Sequence, residues 1–90
     1  MQFILPQNIP TDAVLIDIRD DLERHAKPLR LGSIAISIAE LEDGSPALPL
    51  CPLVVVCNNG RQSEYAAALL EALGAKNVLI LEGGIKSLDS

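Results

Sequence analysis

Leu53-Val54-Val55-Val56-Cys57-Asn58-Asn59-Gly60-Arg61-Gln62-Ser63 decides how this chain is read. Four apolar residues, three of them β-branched, form a buried strand. The cysteine stands where that strand ends. A short polar loop follows, and from Ser63 to Leu73 the pattern becomes helical. A strand that runs through a tight polar loop into a helix points loop amides and the positive end of the helix dipole at whatever the strand delivers. Here it delivers a thiol. Surroundings of that kind favour the thiolate and make the sulfur a nucleophile. The chain therefore reads first as a cysteine enzyme or sulfur carrier.

Outward from this stretch, apolar runs alternate with helical patterns. Val14-Leu15-Ile16-Asp17-Ile18 and Val78-Leu79-Ile80-Leu81 are apolar on both faces, as in a parallel sheet covered on each side. Ile34, Ile36 and Ile38 share one face at period two. They mark a further strand, or a strand running into a short helix that ends near Leu41. Met1 to Pro10 reads as a short edge strand and a loop. Asp20 to His25 reads as a short helix capped by Asp20 or Asp21 and closed before Pro28. Glu42 to Pro52, with Gly44, Ser45 and three prolines, reads as a loop. On the Ser63–Leu73 helix, Ala66, Leu69, Leu70 and Leu73 form the apolar stripe, and Gly74 takes the left-handed position beyond the C-terminus. Gly83-Gly84 stops the last strand, and Ile85 to Leu88 adds a helical turn. The expected fold is α/β, with a mainly parallel sheet of four to five strands flanked by helices.

Ninety residues, about half of them apolar, make one domain spanning 1–90 with a modest core. Only Phe3 and Tyr65 are aromatic, so aliphatic side chains must fill that core. A net charge of −5 argues against nucleic-acid and anionic-membrane surfaces. No signal peptide and no apolar run of membrane length are visible, which leads to the expectation of a cytoplasmic protein. Cys51 and Cys57 flank an extended strand and should lie roughly 20 Å apart, beyond disulfide reach. Two cysteines and one histidine at these spacings fit no zinc pattern, and no cofactor is called for. Cys51 reads as a loop cysteine without a partner, and His25 as a solvated helix residue.

Four blocks in sequence order resemble a single-domain rhodanese, the sulfurtransferase homology domain. Leu15-Ile16-Asp17-Ile18-Arg19 is similar to the family's L-[IL]-D-V-R, and Leu31-Gly32-Ser33-Ile34 is a weak version of H-I-P-G-A-I. The Cys57 loop is similar to C-x-x-G-x-x-S. Val78-Leu79-Ile80-Leu81-Glu82-Gly83-Gly84-Ile85 is similar to V-x-x-L-x-G-G-[IL]. Together they cover Val14 to Leu88. In this chain Leu29-Arg30-Leu31 stands in place of the family's His-Ile-Pro, and Leu88 in place of its tryptophan.

The resemblance implies a three-layer rhodanese-like fold and a sulfurtransferase working through a Cys57 persulfide. The amides of Asn58, Asn59, Gly60, Arg61, Gln62 and Ser63 would cradle that anion. Gly60 allows the tight curl, Arg61 offers a cation to an anionic donor, and Ser63 is expected to cap the helix. Asp17 and Arg19 would support the site by tying loops together. A small anionic sulfur donor and a thiol or sulfur-carrier protein acceptor are the implied partners. The alternative is a catalytically weak binding or docking module within a sulfur relay. A phosphatase of the C-x5-R type would need arginine at position 63, which is serine.

Overall fold

The computed structural model describes residues 2–29, 33–44, 47–57 and 62–85. Five parallel strands form one sheet in the order β1-β5-β4-β2-β3. They are β1 (Gln2–Ile4), β2 (Val14–Asp17), β3 (Ile34–Ala35), β4 (Leu53–Val56) and β5 (Val78–Leu81). Among the described residues the α-helices are α1 (Asp21–Ala26), α2 (Ile38–Asp43) and α3 (Ser63–Ala72), and Pro6–Asn8 form a short 3-10 turn. The apolar runs take the interior of the sheet. Every residue of β4 and β5 is buried, because strands in a parallel sheet are covered on both faces. β4 pairs with β2 from Val14↔Leu53 to Asp17↔Val56, and with β5 from Leu53↔Val78 to Val55↔Ile80.

Alternation along the strands divides the core in two. Ile16, Leu53, Val55, Cys57, Val78 and Ile80 face α3, whose Ala66, Ala67 and Leu70 pack on them. Leu15, Val54, Val56, Leu79 and Leu81 face the other way and are roofed by Ile4, Ile9, Ala13, Leu29 and Ile85. Small alanines let α3 lie close to β4 and β5, and α2 packs beside it.

Local signals set the helix ends. Asp20 caps α1, accepting from the Glu23 amide while the Glu23 carboxylate accepts from the Asp20 amide. Ser37 and Glu40 repeat this reciprocal cap at α2. Gly44 and Gly74 end α2 and α3 with φ of 72° and 102°, conformations that L side chains rarely adopt.

Several expected boundaries move. The isoleucine segment is the strand-into-helix alternative, and the cap at Ser37 carries α2 on to Asp43, two residues into the expected loop. α3 ends at Ala72. Its buried stripe is Ala66, Ala67 and Leu70; Leu69 is only partly buried and Leu73 is exposed. The helix turns its alanines and Leu70 to the strands, where clearance is least, and Leu69 and Leu73 line the margin. The end of the expected turn from Ile85 to Leu88 lies outside the described residues.

Candidate active site

The sheet brings Cys57 to the C-terminal ends of the strands, one residue beyond β4 and six before the start of α3. Its position is fixed from both flanks. The Ile18 amide donates to the Val56 carbonyl at 3.1 Å, and the Ile85 amide donates to the Cys57 carbonyl at 2.8 Å. Ile85 closes the Gly83-Gly84 turn, whose φ values of 82° and 65° require glycine for an unstrained backbone. The glycine pair is thus a turn that clasps the cysteine backbone from the β5 side.

Ser63 supplies the deciding contact. Its hydroxyl donates to Cys57 Sγ at 3.0 Å, and the serine is wholly buried. The expected helix cap is therefore not its role. Gln62 occupies the N-cap position, exposed and with no side-chain cap bond, and Ser63 is the first helical residue. A serine one step inside the helix aims its hydroxyl across the strand–helix junction, at the sulfur, instead of back at its own amides. Buried Sγ thus meets a hydroxyl donor at the N-terminus of a helix long enough to carry a dipole.

Asp17 and Arg19 lie on the β2 side. Asp17 stands opposite Val56 in the ladder, and Asp17 and Arg19 are each 3% exposed. Arg19 Nε and Nη2 donate to the two Asp17 carboxylate oxygens, each at 3.0 Å. The guanidinium also donates to the carbonyls of Glu23 and Lys27. A planar fork pairs with a carboxylate in two places and still reaches backbone, which lysine could not do. The pair ties the end of β2 to α1 and the segment after it. Its charges meet each other and backbone carbonyls, so it acts as scaffold.

Asn58, Asn59, Gly60 and Arg61 lie outside the described residues. Cys51 and Cys57 are not joined in a disulfide. His25 is an exposed residue of α1. Among the described residues, no group of three His, Cys, Asp or Glu side chains could hold a metal ion, and no helix is long and apolar enough to cross a membrane.

A cysteine after the central strand of a parallel sheet, at a helix N-terminus and with a G-G turn beside it, agrees with the family comparison: the rhodanese-like domain model matches residues 5–90. The chain belongs to the rhodanese-like domain family. It is 39% identical over 75 residues to the thiosulfate sulfurtransferase GlpE of Pseudomonas fluorescens, across 82% of this chain and 68% of that protein. A rhodanese homolog from the extremely thermophilic bacterium Thermus thermophilus superposes with a TM-score of 0.77 at 28% identity, covering 94% of this chain and 98% of the other. An NAD-dependent persulfide reductase from A. fulgidus superposes with a TM-score of 0.79 at 31% identity, covering 96% of this chain but 16% of that one. The same fold thus also occurs as a small part of a longer chain.

Sequence reasoning did not find the hydroxyl–sulfur bond or the Ile85 clasp. The C-x-x-G-x-x-S spacing held the first signal and the L-E-G-G-I block the second; neither showed which atoms meet.

Proposed function

We propose that this rhodanese-like domain is a sulfurtransferase that carries sulfane sulfur on Cys57. The observation that carries the reading is the buried Ser63 hydroxyl donating to Cys57 Sγ at the N-terminus of α3. A structural cysteine has no need of a fully buried donor, whereas a sulfur that must become an anion does.

The Cys57 thiolate attacks the outer sulfur of a donor such as thiosulfate or a persulfide. A new S–S bond forms at Cys57, the donor's S–S bond breaks, and sulfite or a thiolate leaves with the electron pair. The terminal sulfur of the Cys57 persulfide is then attacked by an acceptor thiolate, small or carried by a protein. The acceptor gains the sulfur, the bond to Sγ breaks, and the Cys57 thiolate is restored. No net oxidant or reductant is needed. Ser63 donates to Sγ whenever that atom bears charge, before loading and again on departure. Arg61, in the loop, offers a cation to an anionic donor. The reaction needs no membrane or nucleic acid, and the cytoplasm is its proposed location.

Mass spectrometry after exposure to thiosulfate or to a cysteine desulfurase with cysteine tests this. One added sulfur on Cys57, lost on addition of a thiol, is expected. Equal loading of the Cys57→Ser protein refutes the reading and leaves a docking module as the better account.

A further inference from the structure

A cleft of about 630 Å³ opens at the N-terminal end of β4, the opposite end of that strand from Cys57. The segment 48–52 that leads into β4 forms one wall, and the turn from α3 to β5 forms another. The two are tied together where the Leu53 amide donates to the Asn77 carbonyl at 2.9 Å. Leu48, Cys51 and Ala75 line the cleft with their inner sides packed on the α3 half of the core. Leu50 and Leu73 line it too and keep apolar surface exposed to solvent. The volume falls within the range of clefts that hold small molecules, about 300–1,000 Å³. Among the described residues of the lining one side chain is charged, and it is a cation, Lys76. The protein as a whole carries a net charge of −5, so this cleft runs against its overall sign. The end of α3 does not need the cation for its last turn: the Leu70 and Glu71 carbonyls already accept from the amides of Leu73, Gly74 and Ala75. An apolar body with one anionic end complements such a wall in both shape and charge, whereas a cationic or many-sided polar molecule does not.

We propose that this cleft is a second binding site, and that its ligand is a small apolar monocarboxylate. The chain lies against Leu48, Leu73 and Ala75, and the carboxylate meets the Lys76 ammonium. Binding is non-covalent and makes no use of sulfur chemistry, so it stands or falls separately from the transfer proposed at Cys57. The Cys51 thiol belongs to the wall, and an occupant shields it.

The test titrates the full chain with octanoate, 1-octanol and octylammonium, three probes with one chain and different charge, and follows backbone amides by two-dimensional NMR. Octanoate should shift the amides of Leu48, Cys51, Ala75 and Lys76 saturably, with a Kd of about 1 mM for a ligand of this size, and leave Ser63 and Ile85 unmoved. It should also slow alkylation of Cys51 by iodoacetamide. An exposed charge pair is modest, so 1-octanol should bind about two- to fivefold more weakly, and octylammonium more weakly still. Lys76→Gln should bring octanoate down to the affinity of 1-octanol and leave 1-octanol itself unchanged. Ala75→Phe fills the cleft and should abolish binding of both, with a denaturation curve to show that the protein is folded; if it is not, Lys76→Gln decides alone. Octanoate that fails to saturate, or whose shifts centre on Ser63, overturns the proposal. So does octanoate that binds no better than 1-octanol, since Lys76 would then serve only the end of α3, and so does an advantage of octanoate that survives Lys76→Gln.

Discussion

Cys57 and Cys51 sit at opposite ends of one strand, and their surroundings differ as the two ends of a parallel sheet must. Cys57 lies at the C-terminal end of β4, where the start of α3 meets it with a buried hydroxyl donor. Cys51 lies before the N-terminal end of β4, half-buried in a cleft of about 630 Å³. That cleft is lined by Leu48, Pro52, Leu73 and Ala75, and it meets α3 at the helix's negative end. In a parallel sheet crossed over by helices, strand C-termini face helix N-termini, so only that end favours an anionic sulfur. One residue type on one strand is thus placed for chemistry at one end and for packing at the other.

The sharpest break of this comparison is to remove each sulfur in turn. Cys57→Ser should lower sulfur transfer by about a thousandfold or more, whereas Cys51→Ser should hold the rate within about twofold. Steady-state assays with thiosulfate and a thiol acceptor read both; comparable losses would erase the distinction between the two ends.

Next in size is the scaffold at the reactive end. Asp17→Ala leaves the Arg19 guanidinium buried without its carboxylate and should destabilise the fold by about 3–5 kcal/mol. Urea denaturation measures it. A loss below about 1 kcal/mol would mean that the pair does not anchor the end of β2.

Ser63→Ala sharpens the comparison at the level of one hydrogen bond. It removes a donor to a charged sulfur, an interaction of about 1.5–3 kcal/mol, and should slow transfer about ten- to a hundredfold. Ser63→Thr keeps the hydroxyl and should recover part of the rate. Equal rates in all three proteins would reduce Ser63 to packing.

The smallest effect lies two residues along the same helix, on its exposed side. The Tyr65 hydroxyl donates to Glu42 Oε2 at 2.6 Å, and this hydrogen bond, with lesser contributions from desolvation and the Glu42 charge, raises the tyrosine above its usual value of 10.0. A raised acid keeps its proton longer in the folded state. The stability it adds is fully present below pH about 10 and is lost as pH rises through the higher folded value. Denaturation midpoints from pH 7 to 11 should fall slightly more at the top for the native protein than for Tyr65→Phe. Parallel curves would show that the Tyr65–Glu42 bond adds nothing.

Much of the fold could be read from residue order because the decisive patterns are local. Val14–Ile18, Leu53–Val56 and Val78–Leu81 are apolar without alternation, and such runs are stable as strands only where both faces are covered. Asp20, Gly74 and Gly83-Gly84 marked ends through their own backbone and capping preferences. Asp17 and Arg19 pair with each other, as neighbours two apart at a strand end can without long-range help. The stripe of α3 was misjudged because composition favours leucine over alanine at a core position, whereas the spacing between helix and sheet favours the smaller side chain.

The sequence by itself determined that a parallel α/β domain presents Cys57 between a buried strand and a helix. Both neighbours are contiguous with the cysteine, and each declares itself by local periodicity. Only the tertiary structure decided what surrounds the sulfur. The Ser63 hydroxyl turns to Sγ and not to the helix amides because α3 packs its first turn against the end of β4. Ile85 reaches Cys57 because β5, more than twenty residues later, takes the place next to β4. Strand order follows from which apolar faces pack together across the whole chain, and local preferences carry no record of it.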